Sequence, residues 1–491
     1  MKELLKKLGL DYLLVNSTNE YLAEYSALSE NARYTLTGFS GSTGDALITE
    51  NDIYLFVDGR YHIQADNEVN EKVTVIKLQL GQKQDDEIRK FLNPNKTLGI
   101  IAKKVSQSRL ESFRGYKIKL LDKDPINDYT ETHNSLKVKA FSPKIYKPKR
   151  PVFISNPEEV SYLTGLRDFS QDCSSKIWAK LFVDVDGSYK LFDKENECRN
   201  FLSSYNDAII VDKSSINAYD YALIKKPVHR DSEIKFMKSV KTEEELEAYK
   251  DAFHRTDCAV KAIREYIETN DNLSEYDIAK RLREEFINFG AKSLSFKSIV
   301  AINEHSALAH YAKSDKNTFL QNGDLVLIDC GAYYESGLAT DITRVFVKGF
   351  PDSTQKRVYT KVLKAFLNCY NSNLKTGYEI DTLAHTILDG DIEDFCFNHG
   401  LGHGIGINVH EAPPALNKND IAKTEIVDNM TFTIEPGLYN PKYFGVRLEN
   451  SCYKKDGKIH SFVKMGYEGK LIDFNMLNEQ EQEWLKEFDI L

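Results

Sequence analysis

Residues 325–347 read LVLIDCGAYYESGLATDITRVFV. Leu325 to Ile328 is a short apolar run ending on Asp329, and a second strand begins near Asp341. Two strands joined by a short connection bring both carboxylates to one end of a sheet. Carboxylates that close repel strongly unless a cation lies between them. Taken alone, the same stretch also fits two solvated aspartates in turns.

Further along, residues 399–414 read HGLGHGIGINVHEAPP. His399, His403 and His410 fall close together, flanked by Gly400, Gly402, Gly404 and Gly406. Such glycine density lets backbone pass near a ligand or another strand. A metal or catalytic cluster is the better reading of the histidines. Residues 431–450, TFTIEPGLYNPKYFGVRLEN, add Glu435 inside an apolar strand and Glu449 after Gly-Val-Arg-Leu. A glutamate in an apolar strand is costly unless paired or ligated. The wet face of an antiparallel sheet is the competing explanation, stronger for Glu449 than for Glu435. Asp329, Asp341, His403, Glu435 and Glu449 make four carboxylates and one imidazole. This oxygen-rich set suits Mn, Co, Fe(II) or Zn in a two-ion site better than a structural zinc, which prefers thiolates. Two such ions can activate a water at neutral pH.

The rest of the chain reads as an α/β scaffold. Met1 to Val15 predicts an amphipathic helix running into a strand, rather than a leader peptide. An internal echo links Asp11–Leu22 and Arg33–Tyr61 with Pro151–Phe192. Each copy has a β-rich opening, a Leu-Thr-Gly turn (Leu36 to Gly38, Leu163 to Gly165) and a strand ending in Phe-Val-Asp (Phe56 to Asp58, Phe182 to Asp184). The proline-rich stretch 142–151, SPKIYKPKRP, reads as an extended linker between them. Thr242 and Glu245 form a capping-box pattern. They open a long helix whose Leu246, Tyr249, Phe253, Val260, Ile263 and Ile267 face a core. Another helix starts at Ser274, and one helical stretch, residues 353–374, interrupts a strand-rich C-terminal part. These boundaries give domains at 1–141, 142–235 and 236–491, the second repeating the first.

A chain of 491 residues is too long for one ordinary domain. With 41% hydrophobic and 28% charged residues it reads as globular. A net charge of -9 speaks against a nucleic-acid surface, and no apolar run is long enough to span a bilayer. Seven scattered cysteines without a CxxC pair suit a reducing, cytoplasmic setting.

Taken together, Asp329, Asp341-Ile-Thr-Arg344, His399-Gly-Leu-Gly-His403, His410-Glu411, Glu435-Pro436-Gly437 and Arg447-Leu-Glu449 resemble the pita-bread metallopeptidases. That group includes methionine aminopeptidase, prolidase, aminopeptidase P and the metal-free creatinase. Residues 33–44 (RYTLTGFSGSTG), 58–66 (DGRYHIQAD) and 471–485 (LIDFNMLNEQEQEWL) are similar to the long, three-domain Xaa-Pro aminopeptidases. The resemblance implies two similar N-terminal α/β domains before a pita-bread catalytic domain. It also implies two divalent ions, Mn2+ first, with Zn2+, Co2+ or Fe2+ as alternatives. The implied substrates are peptides with proline second, and a homodimer is expected, with no nucleic-acid or membrane partner.

By position, the resemblance assigns Asp329 and Asp341 to one ion, with Asp341 and Glu449 bridging, and His403 and Glu435 to the second ion. His310, in ALAHY, matches a histidine near the scissile carbonyl and the proline. His399 and His410 match histidines that hold the substrate and stabilise the tetrahedral intermediate, Glu435 the group that moves the proton, and Arg447 a support for the ligands and the substrate pocket. Asp58 and Arg60 read as a structural ion pair. Two departures stand out: eleven residues separate Asp329 from Asp341 where the family usually has ten, and Leu401 replaces a common threonine. The extra residue predicts a bulge or longer turn at Glu335-Ser336-Gly337. A prolidase, cutting only Xaa-Pro dipeptides, is the nearest rival reading. A non-catalytic binding protein on the same fold is the other.

Overall fold

The amphipathic N-terminus folds as read. Helix α1 (Lys2–Leu8) buries Leu5 and stops at Gly9, whose φ of 65° lies in the left-handed region open to glycine. The chain then enters β1 (Tyr12–Val15). The computed structural model describes residues 1–24, 27–79, 81–129, 137–311, 313–390, 392 and 394–491. These form two units: Met1–Leu166 with Ile177–Ile234, and Arg167–Lys176 with Lys235–Leu491.

The first unit holds two sheets. After β1 come helix α2 (Ala32–Thr37) and strands β2 (Asp45–Ile48), β3 (Ile53–Val57), β4 (Val73–Lys77), β5 (Thr97–Ile101) and β6 (Lys117–Leu121). Their order is β4-β3-β2-β1-β5-β6. The second sheet is built from β7 (Val152–Ile154), followed by helix α3 (Pro157–Thr164), β8 (Lys180–Val183), β9 (Tyr189–Phe192), β10 (Ile209–Val211) and β11 (Pro227–His229). Its order is β9-β8-β7-β10-β11. In both, the first strand pairs antiparallel with a hairpin on one side. On the other side it pairs parallel with two later strands. The repeat is therefore real at the level of topology, with β4 as an addition to the first copy.

Two details of the sequence comparison need correction. The Leu-Thr-Gly triplets do not turn one strand into another. They end α2 and α3, with Gly38 (φ 80°) and Gly165 (φ 69°) capping the helices. The Phe-Val-Asp triplets are not equivalent either: Phe56 and Val57 lie in β3, the outer hairpin strand, while Phe182 and Val183 lie in β8, the inner one. Any buried strand entering an aspartate turn produces that triplet, so it does not fix register.

In the second unit, Thr242 forms the capping box with Glu245 and opens α4 (Glu243–Thr269), whose apolar face is buried as its spacing predicts. Ser274 caps α5 (Glu275–Asn288) in the same way. Then follow β12 (Ile299–Ile302), β13 (Leu325–Cys330), β14 (Ile342–Val347), α6 (Ser353–Tyr370) and α7 (Gly377–Leu388). The helical stretch expected at 353–374 is α6, and a Thr376–Glu379 capping box starts a further helix, α7, beyond it. The remaining strands are β15 (Gly402–His403), β16 (Thr431–Ile434), β17 (Gly437–Tyr439), β18 (Gly445–Arg447), β19 (Glu449–Lys455) and β20 (Lys458–Ser461). The main sheet runs β12-β13-β14-β19-β16, with β20 added to β19. Leu325 and Leu327 of β13 and Val345 and Val347 of β14 share a core with Val358, Val362 and Phe366 of α6. Each such buried side chain contributes about 1.5–3 kcal/mol. That packing fixes which face of β13 and β14 points toward α6, and with it the direction of every second residue further along.

All seven cysteines are free. Among the described residues, no helix is long and apolar enough to cross a membrane.

Candidate metal centre

Strand register gathers the carboxylates. Asp329 stands opposite Thr343, and Thr343 opposite Glu449, so the three share one face across β13, β14 and β19. Asp341 precedes Thr343 by two residues and belongs to that face too. It is the same face that buries Leu325 and Leu327, now carrying charge at the sheet's end. Glu435 enters from the neighbouring strand, since Ile434 pairs with Asn450 beside Glu449. It does not interrupt a strand as expected. It follows the last residue of β16, and its N–H bonds the carbonyl of Leu401 instead of continuing the ladder.

His403 reaches the cluster because glycines let β15 run close to β16. A Cβ at Gly402 would lie 2.1 Å from the carbonyl oxygen of Thr433, and one at Gly404 would lie 2.2 Å from that of Glu411. The N–H of His403 donates to Thr433 Oγ1 at 3.1 Å. Its Nε2 then lies 3.5 Å from Asp341 and 3.6 Å from Glu435. Asp341, His403 and Glu449 each offer a ligand atom within 4.8 Å of the others. Asp329 joins through Arg447, whose NH2 donates to its Oδ2 at 2.5 Å and whose Nε lies 3.9 Å from Glu435.

The electrostatics of this cluster are out of balance. Four carboxylates face one guanidinium. Burial, then the charges of Asp329 and Glu435, push the Asp341 carboxyl far above the usual range. Burial, then Asp341 and Asp329, do the same to Glu449. Glu435 is pushed up to about 8 by burial and by Glu449. One oxygen each of Asp329, Asp341 and Glu449 is buried and accepts no hydrogen bond among the described residues. Buried oxygens without donors are rare, and divalent cations are what such a donor set binds. The residues present fit metal ions.

His410 contacts the cluster directly, and His399 connects to its arginine through Tyr439. The His410 ring lies 4.4 Å from that of His403, centroid to centroid, in a T-shaped arrangement. His399 Nε2 is 2.8 Å from the Tyr439 hydroxyl, which also accepts from Arg447 NH1 at 3.0 Å. His310 lies in the turn after the short 3-10 helix Asn303–Ala307, half-buried, on a segment that packs beside β18. Asp58 and Arg60 form a two-pronged ion pair at 2.8 and 2.9 Å within the first unit.

Sequence reasoning missed Thr343 and Tyr439. Thr343 donates to Glu449 at 2.8 Å and accepts from Arg447 Nε at 3.1 Å. A threonine in a strand is too common to signal this, although its place in Asp341-Ile-Thr-Arg344 was visible. Tyr439 follows Pro436-Gly437 and links Arg447 to His399. The connection between the aspartates turns at the stretch expected to hold the extra residue. Residues Tyr334 to Gly337 make a turn closed at 2.9 Å, and Gly337 has φ 62°. Leu401 is fully buried, its N–H bonded to Asp381 at 3.0 Å.

The profile of metallopeptidase family M24 matches residues 247–455, which contain all five clustered residues. That of the creatinase/prolidase N-terminal domain matches residues 1–127. The chain thus carries a metallopeptidase family M24 domain and a creatinase/prolidase N-terminal domain. Similar relatives run the whole length of the chain. A probable Xaa-Pro aminopeptidase P from Laccaria bicolor is 27% identical over 99% of this chain and 88% of its own. Xaa-Pro aminopeptidase 1 from Dictyostelium discoideum is 26% identical over 99% of this chain and 91% of its own. A Xaa-Pro dipeptidase from Pyrococcus horikoshii is 36% identical, but over only 45% of this chain and 61% of its own. The crystal structure of an X-prolyl aminopeptidase from Caenorhabditis elegans, described as cytosolic with a di-nuclear active site, shares the fold. It superposes with a TM-score of 0.86 at 20% identity, over 97% of this chain and 90% of that one. The architecture of the chain is thus two similar α/β sheets followed by a pita-bread domain.

Proposed function

We propose that the chain is an aminopeptidase that removes the first residue from peptides with proline at the second position. The observation that carries this reading is the buried cluster of Asp329, Asp341, His403, Glu435 and Glu449, short of positive charge. Full-length similarity to Xaa-Pro aminopeptidases supports the specificity.

These five residues would hold two divalent ions, Mn2+ the first candidate and Zn2+, Co2+ or Fe2+ the others. When bound, the ions would supply positive charge and an activated water at neutral pH. The chain's own groups do the rest. Glu435, whose carboxylate the bound ions would keep charged, would take a proton from the water and hand it to the leaving proline nitrogen. Arg447 keeps Asp329 in place, and Thr343 does the same for Glu449. His410 faces the developing oxyanion, and His399, braced by Tyr439, holds the substrate. Proline lacks the N–H that most peptidases grip and has a fixed torsion. A wall containing His310 and His399 turns that shape into the selection rule.

The prolidase reading draws on the Pyrococcus dipeptidase, more alike in sequence over less than half of the chain. Assaying Xaa-Pro dipeptides against Xaa-Pro-Yaa peptides separates the two. Cleavage of the longer peptides is expected, and activity confined to dipeptides would reverse the choice. The same proposal takes the chain as three domains (1–141, 142–235, 236–491), cytoplasmic and homodimeric. The two sheets of the first unit favour that division, and light scattering tests the dimer.

A further inference from the structure

We propose that Glu275 is a positioning residue for His310, acting through the segment its carboxylate ties down; this rests on the peptidase reading above. Glu275 is the first residue of α5, and none of it is exposed to solvent. Its Oε1 accepts from the N–H of Ile302 and lies against His305 Nδ1, both at 2.8 Å. Its Oε2 accepts from the Tyr311 hydroxyl at 2.7 Å and from the N–H of Asp315 at 2.9 Å. Two partners on each oxygen fill a carboxylate's capacity. The His305 and Tyr311 rings stack 4.7 Å apart, which holds the two side-chain anchors together.

A first-turn acid serving only its helix dipole can remain in water. Glu243 and Glu244 of α4 do so. Glu275 turns inward instead and spans the segment on which His310 sits, between the anchors His305 and Tyr311. The opposite side of that segment is fastened too. Ser306 Oγ accepts from the N–H of Gly445 at 2.8 Å, and a Cβ at Gly445 would lie 2.2 Å from the Ser306 carbonyl oxygen. Gly445 begins β18, the strand that carries Arg447 and hence the grip on Asp329. His310 is therefore held between Glu275 on one side and the scaffold of the carboxylate cluster on the other.

The test pairs hydrogen exchange on the metal-free protein with kinetics on an Xaa-Pro-Yaa peptide. The variants are Glu275→Gln, Tyr311→Phe and His310→Ala, plus the double variant of Glu275→Gln with His310→Ala. Tyr311→Phe removes one anchor and keeps the ring stack, so it carries the test if Glu275→Gln does not fold. Faster exchange is expected at Ile302–Tyr311 but not in α4. KM should rise about tenfold, the scale of one lost bond to a charged group, with kcat within about twofold. In the His310→Ala background, Glu275→Gln should add less than about twofold. Unchanged exchange overturns the tether. Faster exchange with unchanged KM, or full additivity in the double variant, overturns the positioning role. Wild-type protein inactive on every Xaa-Pro peptide while the exchange result holds would instead bring down the peptidase reading, and the role for His310 with it.

Discussion

Two sites of buried acids, one in each unit, are handled in opposite ways. In the first unit, Asp220 is fully buried but sits against Lys180, with Arg199 at 3.2 Å and Asn217 at 3.0 Å. Burial alone would raise its carboxyl, yet Lys180 and Arg199 hold it below the usual range. Asp124 likewise has Lys104 at 3.0 Å. In the second unit, Asp341 and Glu449 are equally buried but have mainly other carboxylates for company, and are pushed far upward. Where the chain neutralises its own buried charge, the pair belongs to the fold. Where it leaves negative charge unmatched, the fold is arranged around something the chain does not contain.

This contrast can be broken from either side. Asp341→Asn should abolish peptide cleavage by at least roughly a thousandfold, the several kcal/mol that metal-held charge supplies. The same change should leave the melting temperature of the metal-free protein equal or higher, because it removes a repelled charge. Asp220→Ala should do the reverse, stranding Lys180 and costing about 3–5 kcal/mol in urea unfolding, with no rescue by divalent ions.

A smaller effect is expected from pH. The Glu435 proton leaves near 4.5 in the unfolded chain and near 8 in the folded one. The folded state therefore binds the extra proton between those values. The stability this contributes is complete below about pH 4.5 and is lost as pH rises toward 8, a few kcal/mol in all. Urea titrations of metal-free protein across that window should show the decline, and saturating Mn2+ should flatten it, since cations replace protons. The least effect belongs to the Asp58–Arg60 pair, which is partly exposed. Asp58→Asn should change stability by about 0.2–1 kcal/mol and leave activity untouched.

Much of this was legible in the sequence because chemistry that needs rare residues leaves rare patterns. Asp329, Asp341, His403, Glu435 and Glu449 sit on or beside strands whose alternation and glycines announce them. The repeat is visible as well, but not what its Leu36-Thr37-Gly38 turn does: Gly38 caps a helix. Glycine marks both, and only the packed structure distinguishes them. The supporting groups were hidden for a different reason. Glu275 resembles any first-turn acid, and its four partners lie 27 to 40 residues away. Thr343 and Tyr439 act through hydroxyls that common strand residues also carry. Their roles depend on what stands opposite them, which no local pattern encodes.

The central claim is that cations complete the charge of the carboxylate cluster. Equilibrium dialysis of metal-stripped protein against Mn2+, followed by metal analysis, tests it most directly. Two ions per chain for the wild type and fewer for Asp341→Asn are predicted. A wild-type protein that retains no ion, while remaining folded, would contradict it.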